Sequence, residues 1–251
     1  MILVVNIGNS SIRFGIGQNH ESLTSWTIHT KPFKTADELY LMFKNMYEQY
    51  EIDESQIKDI VIGSVVPHQT TVIARALKSI HGIDPMIVDR NTPSNVVQYS
   101  KQMGTDLYAN AVAAHELYPG KKLVFDFGTA LTVLGIEETG EVLGAVIAPG
   151  VITSLKALVG DTSQLPDIEL IQPKSVLGKD TESCMQSGMI YGYIGMVEGF
   201  IKNIEKEFGE GFYVISTGGL GHIFMPLTDK IHKDDKFHTL RGLCLLYEQN
   251  R

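Results

Sequence analysis

Two cysteines, one tryptophan and no apolar run long enough to cross a bilayer are what this 251-residue sequence has least of, and each scarcity excludes a class of function. A membrane-spanning helix needs about 20 predominantly apolar residues. The opening Ile2-Leu3-Val4-Val5 carries neither a charged preceding region nor a cleavage site, so a secretory leader is not expected. Cys184 and Cys244 stand outside any C-x-x-C or Cys/His array, which argues against a disulfide framework or a zinc site and for a reducing, cytoplasmic compartment. Both cysteines read as core residues. The eight histidines form no metal-ligand spacing, and neither a P-loop nor a complete G-x-G-x-x-G is present. Basic residues are also short: 21 Lys and Arg against 29 Asp and Glu give a net charge of −8, and they are scattered. Nucleic acids and anionic membranes are therefore not expected partners.

What is present is a repeat. Leu3 to Ile16 aligns without gaps on Leu123 to Ile136, with the motif Val-Val-Asn-Ile-Gly-Asn-Ser-Ser on Val-Phe-Asp-Phe-Gly-Thr-Ala-Leu. In each copy an apolar strand ends at an amide or an acid, turns through glycine with small hydroxyl-bearing neighbours, and returns as a second strand. Leu23 to Ile28 and Leu143 to Ala148 are both strand-like, which extends each hairpin to a meander.

Helical patterns follow. Thr35-Ala36-Asp37-Glu38 reads as a capped start, with Leu39, Leu41, Met42, Met46 and Tyr47 as the apolar stripe of a helix to about Tyr50. Ile60-Val61-Ile62 reads as a buried strand, and His68 to Ile80 and Asp106 to Tyr118 as helices. Asp180 to Phe208 is a long helical stretch with candidate breaks at Gly192 and Gly195. Tyr213 to Ser216 is a strand, and Leu240 to Tyr247 a closing helix. Pro119-Gly120 is the best boundary, giving lobes at 1–118 and 119–251. Two β-β-β-α-β-α copies resemble the duplicated α/β actin-like (ASKHA, ribonuclease H-like) fold, in which two lobes flank a nucleotide cleft.

Glycine at 8 and at 128 allows a tight turn and close approach to a phosphate, and Asn9, Ser10, Thr129 and Thr132 add donors. Taken singly, either turn is equally an ordinary hairpin; the matched pair favours the phosphate reading. Asp126, at the end of a buried strand, needs a cation or good donors, or else caps its own turn. Asp106 reads as a first-turn carboxylate at a helix start or as a base for a hydroxyl nucleophile. Gly218-Gly219 ends a strand where backbone can lie flat against an adenine or ribose, or simply turns into a helix.

These residues resemble one family, the type III pantothenate kinases of bacteria. Asn6-Ile7-Gly8-Asn9-Ser10 is similar to its Asp-x-Gly-Asn-Thr motif, and Gly104-Thr105-Asp106-Leu107 sits where its Gly-x-Asp-Arg belongs. Asp126-Phe127-Gly128-Thr129-Ala130 matches its second phosphate motif in full, and Pro149-Gly150, Gln186-Ser187-Gly188 and Thr217-Gly218-Gly219 continue the pattern. The resemblance implies ATP-dependent phosphorylation of pantothenate to 4′-phosphopantothenate, the first committed step towards coenzyme A, by a homodimer using Mg²⁺ and a monovalent cation, K⁺ or NH₄⁺. It implies that Asn6, Ile7, Gly8, Asn9, Ser10, Ser11, Ile12, Arg13 and Thr129, with Gly218 and Gly219, contact ATP. Asp126 would hold the monovalent cation, Asp106 would accept the proton, and Tyr99, Gly104, Thr105, Leu107 and Thr181 would line the substrate pocket. Asn6 stands where the family has an acid and Leu107 where it has an arginine. Those two positions leave open a nucleotide-binding paralogue with a regulatory or interaction role, or a kinase for an alcohol without a carboxylate.

Overall fold

The computed structural model describes residues 1–98, 100 and 102–251. The chain divides into two compact units, one of Met1–Leu117, Thr139–Val142 and Phe237–Arg251, the other of Tyr118–Glu138 and Leu143–Lys236.

The first unit is built on a five-stranded sheet of β1 (Ile2–Ile7), β2 (Ser11–Gly17), β3 (Thr24–His29), β4 (Asp59–Ser64) and β5 (Met86–Val88), in the order β3-β2-β1-β4-β5. The strands β1 to β3 form an antiparallel meander, while β4 joins β1 in parallel. β1 is apolar throughout except at Asn6 because it is covered on both faces, as central strands with parallel neighbours are. One face carries Leu3, Val5, Ile7, Ile12 and Phe14 into a core with α1 (Ala36–Gln49) and α2 (Pro67–His81). α1 starts with the expected capping box between Thr35 and Glu38, but its buried stripe is Leu39, Phe43 and Tyr47, spaced by four. Leu41, read as part of that stripe, is 63% exposed: it lies two positions from Leu39 and Phe43, on the opposite side of the helix.

The other face is covered by α3 (Thr105–Leu117) and α7 (His238–Asn250). The closing helix, placed by sequence order in the second half, thus packs in the first unit. The two helices approach closely at Gly242, where a methyl group would fall 1.9 Å from the Ala109 carbonyl oxygen. Thr239 donates from Oγ1 to Asn110 Oδ1 at 2.8 Å, and the His238 ring meets the Asn110 carbonyl at 3.0 Å. Every residue of α3 from Leu107 to Ala114 is buried, so the helix has no amphipathic stripe beyond its first turn.

The second unit repeats the plan with β6 (Lys122–Phe127), β7 (Ala130–Ile136), β8 (Val142–Pro149), β9 (Tyr213–Gly218) and β10 (Lys233–Asp234), in the order β8-β7-β6-β9-β10. β6 repeats the burial pattern of β1, and β7 that of β2. The ungapped alignment of the two hairpins is nevertheless out of step in the second strand. Ile7 pairs with Ile12, leaving residues 8–11 in the first turn, whereas Phe127 pairs with Leu131, leaving 128–130 in the second. Arg13 therefore corresponds to Thr132 rather than to Val133. α4 (Val151–Gly160) follows β8, α5 (Thr181–Phe208) runs unbroken through Gly192 and Gly195, and the short α6 (Gly221–Phe224) follows β9. Glycine lowers helix propensity by about 1 kcal/mol, and here the buried face of Ile190, Tyr193, Ile194 and Val197 overrides it. Cys184, on the first turns of α5, is exposed rather than core; Cys244 is buried in α7.

Gly242→Ala should destabilise the chain by about 1–3 kcal/mol, the usual cost of overpacking, seen as a lowered midpoint in urea unfolding, because a methyl there would overlap the Ala109 carbonyl and force α3 and α7 apart.

Candidate functional site

Both hairpin turns stand where a buried apolar strand runs out into polar residues, and each is fixed by bonds from neighbouring segments. In the first unit the Gly8 N–H donates to the Ser11 carbonyl at 2.9 Å. Thr30, almost fully buried, donates from Oγ1 to the Gly8 carbonyl at 2.7 Å and from its N–H to the Ser10 carbonyl at 3.1 Å. No signal in the sequence marked Thr30; it is a lone threonine just past β3. Ile7 and Ile12, expected at the nucleotide, are core residues. Asn9 and Ser10 are exposed, and Gly8, Ser11, Asn6 and Arg13 are partly buried. Asn6 and Arg13 are direct partners across β1 and β2.

In the second unit the Gly128 N–H donates to the Ala130 carbonyl at 3.1 Å, a turn one residue tighter than the first. The Thr129 carbonyl accepts from Gly150 N–H at 3.2 Å and from Thr153 Oγ1 at 2.7 Å, so the start of α4 is clamped onto this turn. Tyr193 of α5 holds the preceding residue, donating to the Pro149 carbonyl at 2.9 Å. Gly150 has to be glycine, since a methyl there would sit 2.4 Å from both the Gly128 and the Thr129 carbonyls.

Asp126 is in register with Thr132 on one side and Thr217 on the other, which sets these three side chains in a row on one face of β7, β6 and β9. Thr217 is fully buried, and its Oγ1 has no hydrogen-bond partner among the described residues. Gly218 has φ of +93°, and a methyl on it would come within 2.7 Å of Asp126 Oδ1 and 2.6 Å of the Phe127 carbonyl. Gly219 donates its N–H to that same carbonyl at 3.2 Å, so the Gly-Gly pair lies flat along the end of β6.

Asp106 occupies the first turn of α3. Its Oδ1 accepts from the Leu107 N–H at 2.8 Å, and a methyl on Gly104 would meet that oxygen at 2.6 Å. Thr105 Oγ1 donates to the Ser64 carbonyl at 3.1 Å, which brings the start of α3 to the end of β4, beside β1. Leu107 is about nine-tenths buried and contributes to the core rather than to an open pocket. Thr181 is an exposed first residue of α5, after the Asp180 cap, whose carboxyl is held below the usual range by the Ser183 N–H. Tyr99 lies outside the described residues. Beside Ser100 opens a cavity of about 560 Å³ lined by Arg90, Thr92, Ser94, Gln98 and Tyr108 among others. The Tyr108 hydroxyl donates to the Thr92 carbonyl and meets Ser94 Oγ, both at 2.7 Å.

A duplicated five-stranded unit with a glycine turn between its first two strands defines the actin-like class of ATP-using folds. Solved structures with this chain fold are a Campylobacter jejuni protein described as a Baf family transcriptional activator (TM-score 0.61, 18% identity, covering 99% of this chain and 98% of that one) and the ADPNP-bound activator of 2-hydroxyisocaproyl-CoA dehydratase from Clostridium difficile (TM-score 0.52, 11% identity, 98% and 93%). Within that class the sequence is more specific. The family model for type III pantothenate kinase matches residues 2–203. Proteins named type III pantothenate kinase from Moorella thermoacetica and Geotalea uraniireducens are each 36% identical to it, covering 100% of this chain and 100% and 99% of theirs. The chain belongs to the type III pantothenate kinase family.

Proposed function

We infer that this protein transfers the γ-phosphoryl group of ATP to the terminal hydroxyl of pantothenate, giving 4′-phosphopantothenate and ADP for coenzyme A synthesis. The observation that carries this reading is the family-model match over residues 2–203, which spans Asp106, Asp126 and both glycine turns, with relatives aligned over the whole chain. Phosphoryl transfer asks a protein for positioning and charge neutralisation more than for covalent chemistry. The backbone of the two turns and the flat Gly218-Gly219 segment suit the first task. In the transfer, the acceptor oxygen bonds to the γ-phosphorus as the bond to the ADP oxygen breaks. The hydroxyl proton passes to Asp106, whose Oδ1 is held by the Leu107 N–H, leaving Oδ2 to take it. The cavity beside Ser100, with Arg90, Thr92, Ser94 and Gln98 in its lining, has the mixed polar character a small carboxylate-bearing alcohol requires.

The row of Asp126, Thr132 and Thr217 fits a monovalent cation, since a carboxylate and two hydroxyls, the Thr217 one buried with no hydrogen-bond partner among the described residues, form an all-oxygen donor set. A cation held there supplies positive charge to the phosphates. Mg²⁺ does not fit the first turn in the same way. Residues 6–13 include no carboxylate, and no group of three His, Cys, Asp or Glu among the described residues is arranged to hold a metal. For assembly we propose a homodimer, supported by the exposed apolar side chains of Ile147, Ile171, Val176 and Leu177 in the second unit. No helix among the described residues is long and apolar enough to cross a membrane, and we place the enzyme in the cytoplasm.

Incubating purified protein with ATP, Mg²⁺, K⁺ and pantothenate should yield phosphorylated pantothenate by mass spectrometry; absence of product defeats the reading. Asp106→Asn should lower kcat by about 10²–10⁴, the usual worth of a general base, with ATP affinity unchanged, and a loss under tenfold removes Asp106 from that role. Thr217→Val should raise the K⁺ concentration needed for half-maximal activity several-fold. In K⁺-free buffer the same variant should be more stable by about 1 kcal/mol, because an unpaired buried hydroxyl disappears. A variant less stable without K⁺ and unchanged in its K⁺ dependence would take Thr217 out of the cation site.

A further inference from the structure

The first turn carries a cation that forms no ion pair among the described residues. Arg13 is partly buried on β2, and its side chain makes no ion pair or hydrogen bond among the described residues. Its cross-strand partner Asn6 is partly buried too, and its amide likewise lacks a partner. The register extends this row to Thr27 on β3 and Gly63 on β4, and the adjacent same-face row towards the turn holds Ser11 and His29. Neither row contains an acid. On the far side the row is floored by Leu243 of α7, which lies so close over Gly63 that a methyl there would overlap it. An apolar floor lowers the local dielectric and strengthens any charge interaction above it.

An aspartate at position 6 would stand directly opposite Arg13, at the separation where opposite charges pair across strands, and would consume the guanidinium. An amide leaves the guanidinium free and adds a donor beside it. We infer that the first turn is a metal-independent anion clamp in which Arg13, with the Asn6 amide, meets the phosphate charge directly. Arginine suits the task because its planar fork of donors matches two phosphate oxygens at once. The inference rests on the kinase reading for the identity of the anion, an ATP phosphate.

The test is isothermal titration of the full chain with ATP in K⁺ buffer, once with excess EDTA and once with excess Mg²⁺. Wild type should bind with affinities that agree within about threefold in the two buffers. Arg13→Gln should weaken binding in EDTA by about 10- to 100-fold, the loss expected for charged hydrogen bonds, and Arg13→Lys should restore most of it. Asn6→Asp, which leaves Arg13 in place and serves as an independent arm, should lose affinity in EDTA and regain it when Mg²⁺ is added. Wild-type binding that needs Mg²⁺ by tenfold or more, or Arg13→Gln binding unchanged in EDTA, overturns the clamp while the kinase reading stands. Absence of ATP binding in both buffers overturns the two together.

Discussion

Everything else in each unit depends on one constraint, the burial of a central strand on both faces up to a single polar residue next to its end. β1 and β6 each bury four consecutive residues and then present Asn6 or Asp126 before one last apolar position. Burying such a strand between an antiparallel and a parallel neighbour leaves its backbone fully paired, so the polar groups that remain available collect at the turn. The site therefore follows from how the core is closed. Thr30 in one unit, and Gly150 and Thr153 in the other, fix the turn carbonyls and so decide what the turn can present.

Much of this arrangement was legible in the sequence because it rests on local chemistry. The β-β-β meander, the capped start at Thr35, the helix beginning at Asp106 and the strand ending in Thr217-Gly218-Gly219 are all written in periodicity, capping residues and glycines. Contacts distant in sequence were not legible. By pattern alone Leu41 reads as part of a buried stripe that Phe43 occupies, because a run of apolar residues does not say which of them faces the sheet. The closing helix belongs with the first unit because Gly242 allows it to lie on Ala109, a fit between residues far apart in the chain. Gly192 and Gly195 looked like breaks by propensity, and tertiary packing of α5 kept them helical.

The one-residue difference between the turns matters more than its size suggests. An ungapped repeat suggested that each residue of one hairpin has its counterpart at a fixed offset, yet β7 is shifted by one position relative to β2. A shift of one in a strand sends every side chain to the opposite face. The pairing registers restore the correspondence: Arg13 with Thr132, Asn6 with Asp126, Gly63 with Thr217.

With those correspondences, the two copies differ in the charge their rows present. The row in the second unit is an acid between two hydroxyls, one of them buried with no hydrogen-bond partner among the described residues, the set proposed above for a cation. The row in the first unit is an amide beside an arginine, with glycine where the other copy has its buried threonine, and it suits an anion. Gly63 cannot take the threonine because Leu243 of the closing helix fills that space, so the first copy could not copy the oxygen-rich cradle without losing a core contact. The two units share one strand plan; packing against α7 leaves no room for a threonine at position 63, and the charge of Arg13 is the complementary use of the same row.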